Sequence, residues 1–299
     1  MAARKLIVVF GATGGQGGSV VRALLQDASF QVRAVTRNPQ KPAGEELSRL
    51  GAQVVKADLS QQGELEAALQ GAYGCFFVTN FMEHFSKDVE VQQGKIAVDL
   101  AKQLGLKHFV YSGLENVNKL TGGKLKVLHF DSKGEVEEYL KDSRVPFTSV
   151  RMPAYFENFL TFFKPHSEAA GGAYPLNIPV GDVPMDGMSV ADLGPVVVSV
   201  LKAPKDYLGK TIGLSSDRLT IQQYSEVMSK VLGKPFRDGK MSAEVYAKLG
   251  FPGAEEFADM FRFYMMKPDR DIVLTRRLNP AVRSFEQWLS ENKEAFEDL

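Results

Sequence analysis

From Leu6 to Val150 the chain alternates between runs that read as buried strands and segments with helical spacing, and few folds accept that order. Leu6–Phe10 is a continuous β-branched and apolar run, as expected of a strand covered on both faces. A glycine cluster follows, and then Val20, Ala23 and Leu24 recur at helical spacing. Gln31–Thr36 reads as a second strand, Glu45–Leu50 as a helix stopped by Gly51, and Gln53–Ala57 as a third strand. Glu64–Leu69 is a short helix ending at Gly71, and Gly74–Val78 a fourth strand. Ser86 is placed to cap a long helix, with Val89, Ile96, Leu100 and Leu104 along one side and Gly105 at its end. His108–Tyr111, Val127–Lys141 and Phe147–Val150 complete the series as strand, helix and strand.

Five strand–helix units closed by a sixth strand predict right-handed crossovers. The expected class is α/β, a Rossmann-type doubly wound parallel sheet, with a smaller α+β lobe after it. Beyond about residue 151 the rhythm breaks at Pro153, Pro165, Pro175, Pro179 and Pro184. Met188–Val190 reads as a further strand. Asp192 is placed to cap a helix running to Leu201, and Thr220 one over Ile221–Leu232. Glu255–Met266 reads as a Phe- and Met-rich helix. The expected division is residues 1–152 and 153–299, packed as one unit around a cleft, with some later elements returning to the main sheet.

Ligands of such sheets bind beyond the carboxyl ends of the strands, so the residues after each strand carry the functional reading. After strand one comes Gly11-Ala12-Thr13-Gly14-Gly15-Gln16-Gly17. Its first glycine permits a tight turn, its second a close approach to pyrophosphate, and its third close helix–strand packing. The helix that follows offers its N–H groups and dipole to phosphate. No Gly-Lys-Ser/Thr follows these glycines, as a nucleoside-triphosphate loop would require.

Strand two ends at Thr36-Arg37-Asn38-Pro39-Gln40-Lys41, with no acid before Glu45. A ribose 2′-hydroxyl calls for an acid here and a 2′-phosphate for a cation. Arg37 can bind phosphate with its fork and Lys41 can add charge. Residues 1–60 hold eight Lys/Arg and four Asp/Glu. The expected cofactor is NADP(H). Asp58, after strand three, reads either as an acceptor for the adenine amino group or as a turn residue. Thr79 and Asn80, after strand four, belong beside ribose or pyrophosphate, with Phe81 and Phe85 shielding the nicotinamide side.

Three residues are candidates for chemistry: Ser112 after strand five, and His129 and Lys133, which share a helix face at i, i+4. Short-chain dehydrogenases place a proton-donating Tyr four residues before such a Lys, and none of the nine Tyr residues stands so. His129 holds that position. Imidazole titrates near neutrality, but its reach is not that of a phenol. Lys133 reads as a ligand of the nicotinamide ribose or as a solvated helix lysine. After strand six, Tyr155, Glu157 and Asn158 line the cleft, or else Tyr155 and Phe156 are core. Phe159, Phe162, Phe163, Met185 and Met188 suit a pocket wall, or the core.

Lys plus Arg equal Asp plus Glu at 36 each. That balance lends no support to nucleic-acid binding and leaves little charge against self-association. The acidic excess sits in Phe285–Leu299, with five acids and one Lys. Cys75 is the one cysteine, so no intrachain disulfide forms, and its apolar run reads it as a core thiol. The four His and Cys75 lack metal-site spacing, so no metal is expected. No apolar run reaches the ~18–20 residues of a membrane span. Leu6–Phe10 is too short for a signal core, which suits a cytoplasmic protein.

Gly-Ala-Thr-Gly-Gly-Gln-Gly (11–17), Val-Thr-Arg-Asn-Pro (35–39), Tyr-Ser-Gly-Leu-Glu-Asn (111–116), Lys133, Gly-Asp-Val-Pro-Met-Asp-Gly-Met-Ser-Val (181–190) and Met-Phe-Arg-Phe-Tyr (260–264) are taken together. They resemble the NmrA-like atypical short-chain dehydrogenase/reductases over essentially the whole chain. The resemblance implies an NADPH-binding redox sensor that lacks the catalytic Tyr. It implies cofactor contacts at Gly11–Gln16, Arg37–Lys41, Asp58, Leu59, Thr79, Asn80, Phe81, Lys133, Tyr155, Phe156, Glu157 and Asn158. It further implies a homodimer when NADPH is bound, and a monomer that meets argininosuccinate synthase through about Pro153–Ser189 when it is scarce. The implied location is cytoplasmic, extending to the nucleus or perinuclear region. One departure is that Val91-Gln92 stand where the family often has Lys. The alternative is an NADPH-dependent reductase of a carbonyl, enone or quinone, with Lys133 positioning ribose or substrate and His129 or Ser112 moving a proton.

Overall fold

A computed structural model describes residues 3–166 and 172–299. It resolves into two units whose chain segments interleave: residues 1–116, 128–151 and 191–212 form the first, and 117–127, 152–190 and 213–299 the second. Residues 191–212 thus belong with the large sheet, and 117–127 with the C-terminal segments.

The first unit is the expected α/β sheet. Its opening elements are β1 (Lys5–Val9), α1 (Gly15–Leu25), β2 (Phe30–Thr36), α2 (Pro42–Arg49), β3 (Gln53–Lys56), α3 (Gln62–Leu69) and β4 (Gly74–Phe77). Then come α4 (Phe81–His84), α5 (Lys87–Gln103), β5 (His108–Gly113), the helix Leu128–Asp142 and β6 (Phe147–Arg151). The sheet order is β3-β2-β1-β4-β5-β6, and the strand Lys210–Gly213 adds a seventh beyond β6. The pairs β1–β2, β2–β3, β1–β4, β4–β5 and β5–β6 are parallel. The order reverses between β1 and β4, which makes their carboxyl ends the switch point.

The apolar runs explain the sheet's depth. Ile7, Val8, Val9, Cys75, Phe76, Phe77, Phe109, Val110 and Tyr111 are all fully buried. Glycines stop the helices as the sequence predicts, with Gly51, Gly71 and Gly105 all at positive φ. Ser86 caps α5 by accepting from the Val89 N–H at 3.3 Å. The buried face of α5 differs from the expected stripe. It runs through Glu90, Gln93, Gly94, Ala97, Val98, Leu100 and Ala101, while Val89, Ile96 and Leu104 are only half-buried. Small residues let α5 approach the helix Leu128–Asp142 closely: a Cβ on Gly94 would lie 2.4 Å from Val136.

Asp192 precedes the helix Leu193–Lys202, but its side chain makes no cap bond. Ser19 on α1 does that work across sequence, accepting from the Gly194 N–H at 2.8 Å and donating to the Ala191 carbonyl at 2.6 Å. A Cβ at Gly194 would stand 2.2 Å from the Ser19 carbonyl, so glycine is what allows the two helices to meet. The sequence alone pointed to the nearer, and wrong, cap.

The second unit holds a three-stranded sheet in the order Asp217–Leu219, Met185–Met188, Ala154–Tyr155, and a two-stranded one of Tyr174–Leu176 with Phe236–Asp238. The strand expected at Met188–Val190 is therefore Met185–Met188. Thr220 caps Ile221–Leu232 in a complete capping box with Gln223. The core is aromatic. Phe156 meets Phe285 with ring centroids 5.2 Å apart and Trp288 at 5.8 Å, and Phe159 meets Phe285 at 4.8 Å and Tyr224 at 5.3 Å. No helix among the described residues is long and apolar enough to cross a membrane.

Candidate functional site

The glycine loop lies at the switch point. Gly11 has φ +61, and a Cβ there would sit 2.9 Å from Val78 Cγ1, on the segment leaving β4. Gly17 lies in the first turn of α1, where a Cβ would be 2.2 Å from the Gly11 carbonyl oxygen. The loop can fold back onto β1 only with hydrogen at that position. Gly14 is the N-cap of α1 and no side chain caps that end. A first helical turn leaves N–H groups without intrahelical acceptors, and Gly11, Thr13, Gly14 and Gly15 at this end of α1 form an exposed rim. Ala12 is buried, and its N–H donates to the Val35 carbonyl at 3.3 Å.

Around that rim the first unit gathers its other candidates. Ser112, buried at the end of β5, donates to Gln16 Oε1 at 2.6 Å. Arg37, Asn38 and Lys41 are exposed beyond β2. Asn38 Oδ1 accepts from the Gln40 N–H at 3.1 Å, which fixes the turn into α2. Arg37 forms an ion pair with Glu83 on α4. Asp58 Oδ1 accepts from the Ser60 N–H at 2.8 Å, the hydrogen bond of a turn residue, and Leu59 packs on the core. Thr79 is buried and Asn80 exposed, directly after β4. Phe81 is buried, its ring 5.9 Å from His129 and 6.2 Å from Phe85. Phe85 is 70% exposed.

Lys133 is not a solvated helix lysine. It is 9% exposed and ion-paired with Glu90 of α5, which is 2% exposed and also accepts from Ser132. His129 is half-buried between the rings of Phe81 and Phe130. Neither Glu83 nor Glu90 was singled out by sequence. For Glu90 a signal existed, an acid in phase with Ala97 and Ala101 on the buried side of α5; for Glu83 there was none.

The remaining candidates belong to the second unit. Tyr155 is half-buried in its short strand. Phe156 is 1% exposed in the aromatic core, so only its backbone is left to meet a ligand. Glu157 accepts from Ser189 Oγ at 2.6 Å and from the Val190 N–H at 3.0 Å, which holds the end of the 181–190 segment. The Asn158 carbonyl accepts from the Thr161 and Phe163 N–H groups. Of the proposed pocket wall, Phe159, Met185 and Met188 are core, Phe163 is half-buried and Phe162 is 71% exposed.

Titratable groups inside the first unit are held by local structure. Burial raises the Glu137 carboxyl, but Arg151, Lys141 and Ser149 outweigh it and leave the pKa below the ordinary value. Arg151 also reaches Glu115 at 3.3 Å. Among the described residues no group of three His, Cys, Asp or Glu could hold a metal ion.

A profile of the NmrA-like family matches residues 3–283. The chain belongs to the NmrA-like family. An NmrA-like family domain-containing protein of Dictyostelium discoideum is 38% identical over 238 residues, 77% of this chain and 78% of its own length. NmrA-like family domain-containing protein 1 of Rattus norvegicus is 30% identical over 295 residues, 99% of this chain and all of its own length. Among solved structures, NmrA, a negative transcriptional regulator in complex with NADP, superposes with a TM-score of 0.84 at 22% identity, covering 99% of this chain and 98% of its own. The Escherichia coli NADPH-dependent quinone oxidoreductase complexed with NADPH gives 0.76 at 23% identity, covering 95% and 99%. At that identity the likeness is one of fold.

Proposed function

We propose that this NmrA-like protein binds NADP(H) and works as a redox sensor, changing conformation and association with NADPH level rather than turning over a substrate. The observation that carries the reading is the pairing of an uncapped α1 N-terminus, folded tightly through Gly11 and Gly17, with a cation at the end of β2. The N-terminus suits pyrophosphate and Arg37 with Lys41 suits a 2′-phosphate. NADPH, when bound, would supply a hydride and the charge of its phosphates. Gly11–Gly17, Arg37, Asn38 and Lys41 would hold those phosphates, Asp58 and Leu59 the adenine, and Thr79, Asn80 and Phe81 the ribose side. The NADP-bound regulator and the NADPH-bound reductase of like fold support this choice.

Sensing is favoured over catalysis by the state of the candidate catalytic groups. Lys133 is neutralised by Glu90, the Ser112 hydroxyl is engaged by Gln16, and His129 lies between aromatic rings. A ligand shifts a conformational equilibrium only by its differential affinity. A hundredfold excess over Kd stabilises the binding form by about 2.7 kcal/mol, enough to reorder a loop. The reading includes a homodimer with cofactor bound and a monomer that meets argininosuccinate synthase through Pro153–Ser189 without it. Residues 167–171 of that span lie outside the described residues.

The second reading is the NADPH-dependent reductase using Lys133, supported by likeness to the quinone oxidoreductase. One experiment separates them. The protein is mixed with NADPH and a panel of quinones, enones and aldehydes, and nicotinamide absorbance is followed alongside mass by light scattering. Sensing predicts saturable binding, no turnover and an NADPH-dependent mass. Turnover lost in Lys133→Ala contradicts it.

A further inference from the structure

Arg37 has an anionic partner within the chain. Its guanidinium holds the Glu83 carboxylate, from a helix 46 residues further along the chain, and the same carboxylate oxygen lies 3.6 Å from His84 Nε2. A guanidinium offers a planar fork that fits either a carboxylate or a phosphate. Both partners are anions, and a phosphate seated on Arg37 would stand against Glu83 as a like charge. A ribose 2′-hydroxyl carries no charge and leaves the pair intact. We infer that Glu83 is an intramolecular competitor for the 2′-phosphate, and sets how strongly the site prefers NADP(H) over NAD(H). The inference rests on the NADP(H) reading above and deepens it.

The competition also has a structural consequence. Glu83 sits on α4, a four-residue helix closed by Phe85 in the left-handed region at φ +50. Phe81 anchors that helix against His129, while Met82 and Phe85 are exposed. Releasing Glu83 removes an ion pair between α4 and the residue that follows β2. Occupancy by a 2′-phosphate is thereby reported at an exposed apolar element, and occupancy by NAD(H) is not.

The test is titration of wild type, Glu83→Gln, Arg37→Ala and the double variant with NADPH and with NADH, following nicotinamide fluorescence. An exposed ion pair is worth about 0.2–1 kcal/mol, so Glu83→Gln is expected to tighten NADPH by roughly 1.4- to fivefold and to leave NADH unchanged. The gain is expected to vanish in the Arg37→Ala background. Equal tightening of both cofactors, no tightening, or a gain that persists without Arg37 would overturn the inference. A second measurement uses wild type alone: amide hydrogen exchange over residues 81–86 is expected to be faster with NADPH bound than with NADH, and equal exchange would overturn it. Failure of wild type to bind NADPH at all would instead remove the cofactor reading on which the inference rests.

Discussion

The carboxylate of Glu90 and the ammonium of Lys133 form a buried ion pair that joins α5 to the helix Leu128–Asp142. Ser132 donates to the second oxygen of the same carboxylate. The one lysine in the position of a reductase lysine is therefore built into the first unit's interior.

Removing one member of a buried pair leaves the other uncompensated, at about 3–5 kcal/mol. Glu90→Ala is expected to destabilise the protein by about 3 kcal/mol. Glu90→Leu combined with Lys133→Met is expected to cost less than the sum of its two single changes. Urea unfolding of the four proteins measures this, and strict additivity would show that the pair is not coupled.

Gly17→Ala places a methyl 2.2 Å from the Gly11 carbonyl oxygen. Backbone must move, at a cost of about 1–3 kcal/mol, and NADPH binding falls with it. Gly63, in α3, has open space where a Cβ would stand, with nothing within 4 Å. Gly63→Ala is expected to stabilise by about 0.5–1 kcal/mol through helix propensity. Thermal unfolding of both variants checks the opposite signs.

His108, fully buried at the start of β5, bonds Thr148 Oγ1 through Nε2 at 2.8 Å. Thr148 donates its own proton to the Tyr207 carbonyl, so it accepts from Nε2–H. Burial, assisted by Lys5, lowers the imidazole pKa to about 4. Because the folded value lies below the ordinary 6.5, the unfolded chain binds more protons as pH falls. The stabilisation is complete above 6.5 and is lost on descending towards 4. Between pH 6.5 and 5 the expected loss is about 1.5 kcal/mol. His108→Gln should flatten that part of a stability–pH curve measured by urea unfolding, and an unchanged slope would assign it elsewhere.

Burial pushes the Cys75 thiol well above its usual range. A thiolate-selective reagent is expected to leave Cys75 unmodified in the native protein and to label it in urea. Rapid native labelling, followed by mass spectrometry, would contradict the placement of this side chain.

The strand–helix order, the helix-stopping glycines and the caps at Ser86 and Thr220 were legible because each depends on residues near in sequence. The glycine loop was legible for the same reason: its turn and its helix start are contiguous. The Arg37–Glu83 and Lys133–Glu90 pairs were not, since they join residues 46 and 43 positions apart and arise from which helix lies beside which strand end. Ser19 capping the helix after residue 192 failed to show for that reason too. The break in rhythm after residue 151 was visible, and the return of some later elements to the main sheet was expected, but that residues 191–212 are among them shows only in packing such as that of Gly194 on Ser19.

The central claim is that Arg37 meets a 2′-phosphate, and the most direct measurement is the dissociation constant of Arg37→Ala for NADPH and for NADH by fluorescence titration. A charge-assisted hydrogen-bonded contact is worth about 1.5–3 kcal/mol, so NADPH should weaken by at least about tenfold while NADH stays near its wild-type value. Equal weakening of both cofactors would contradict the account.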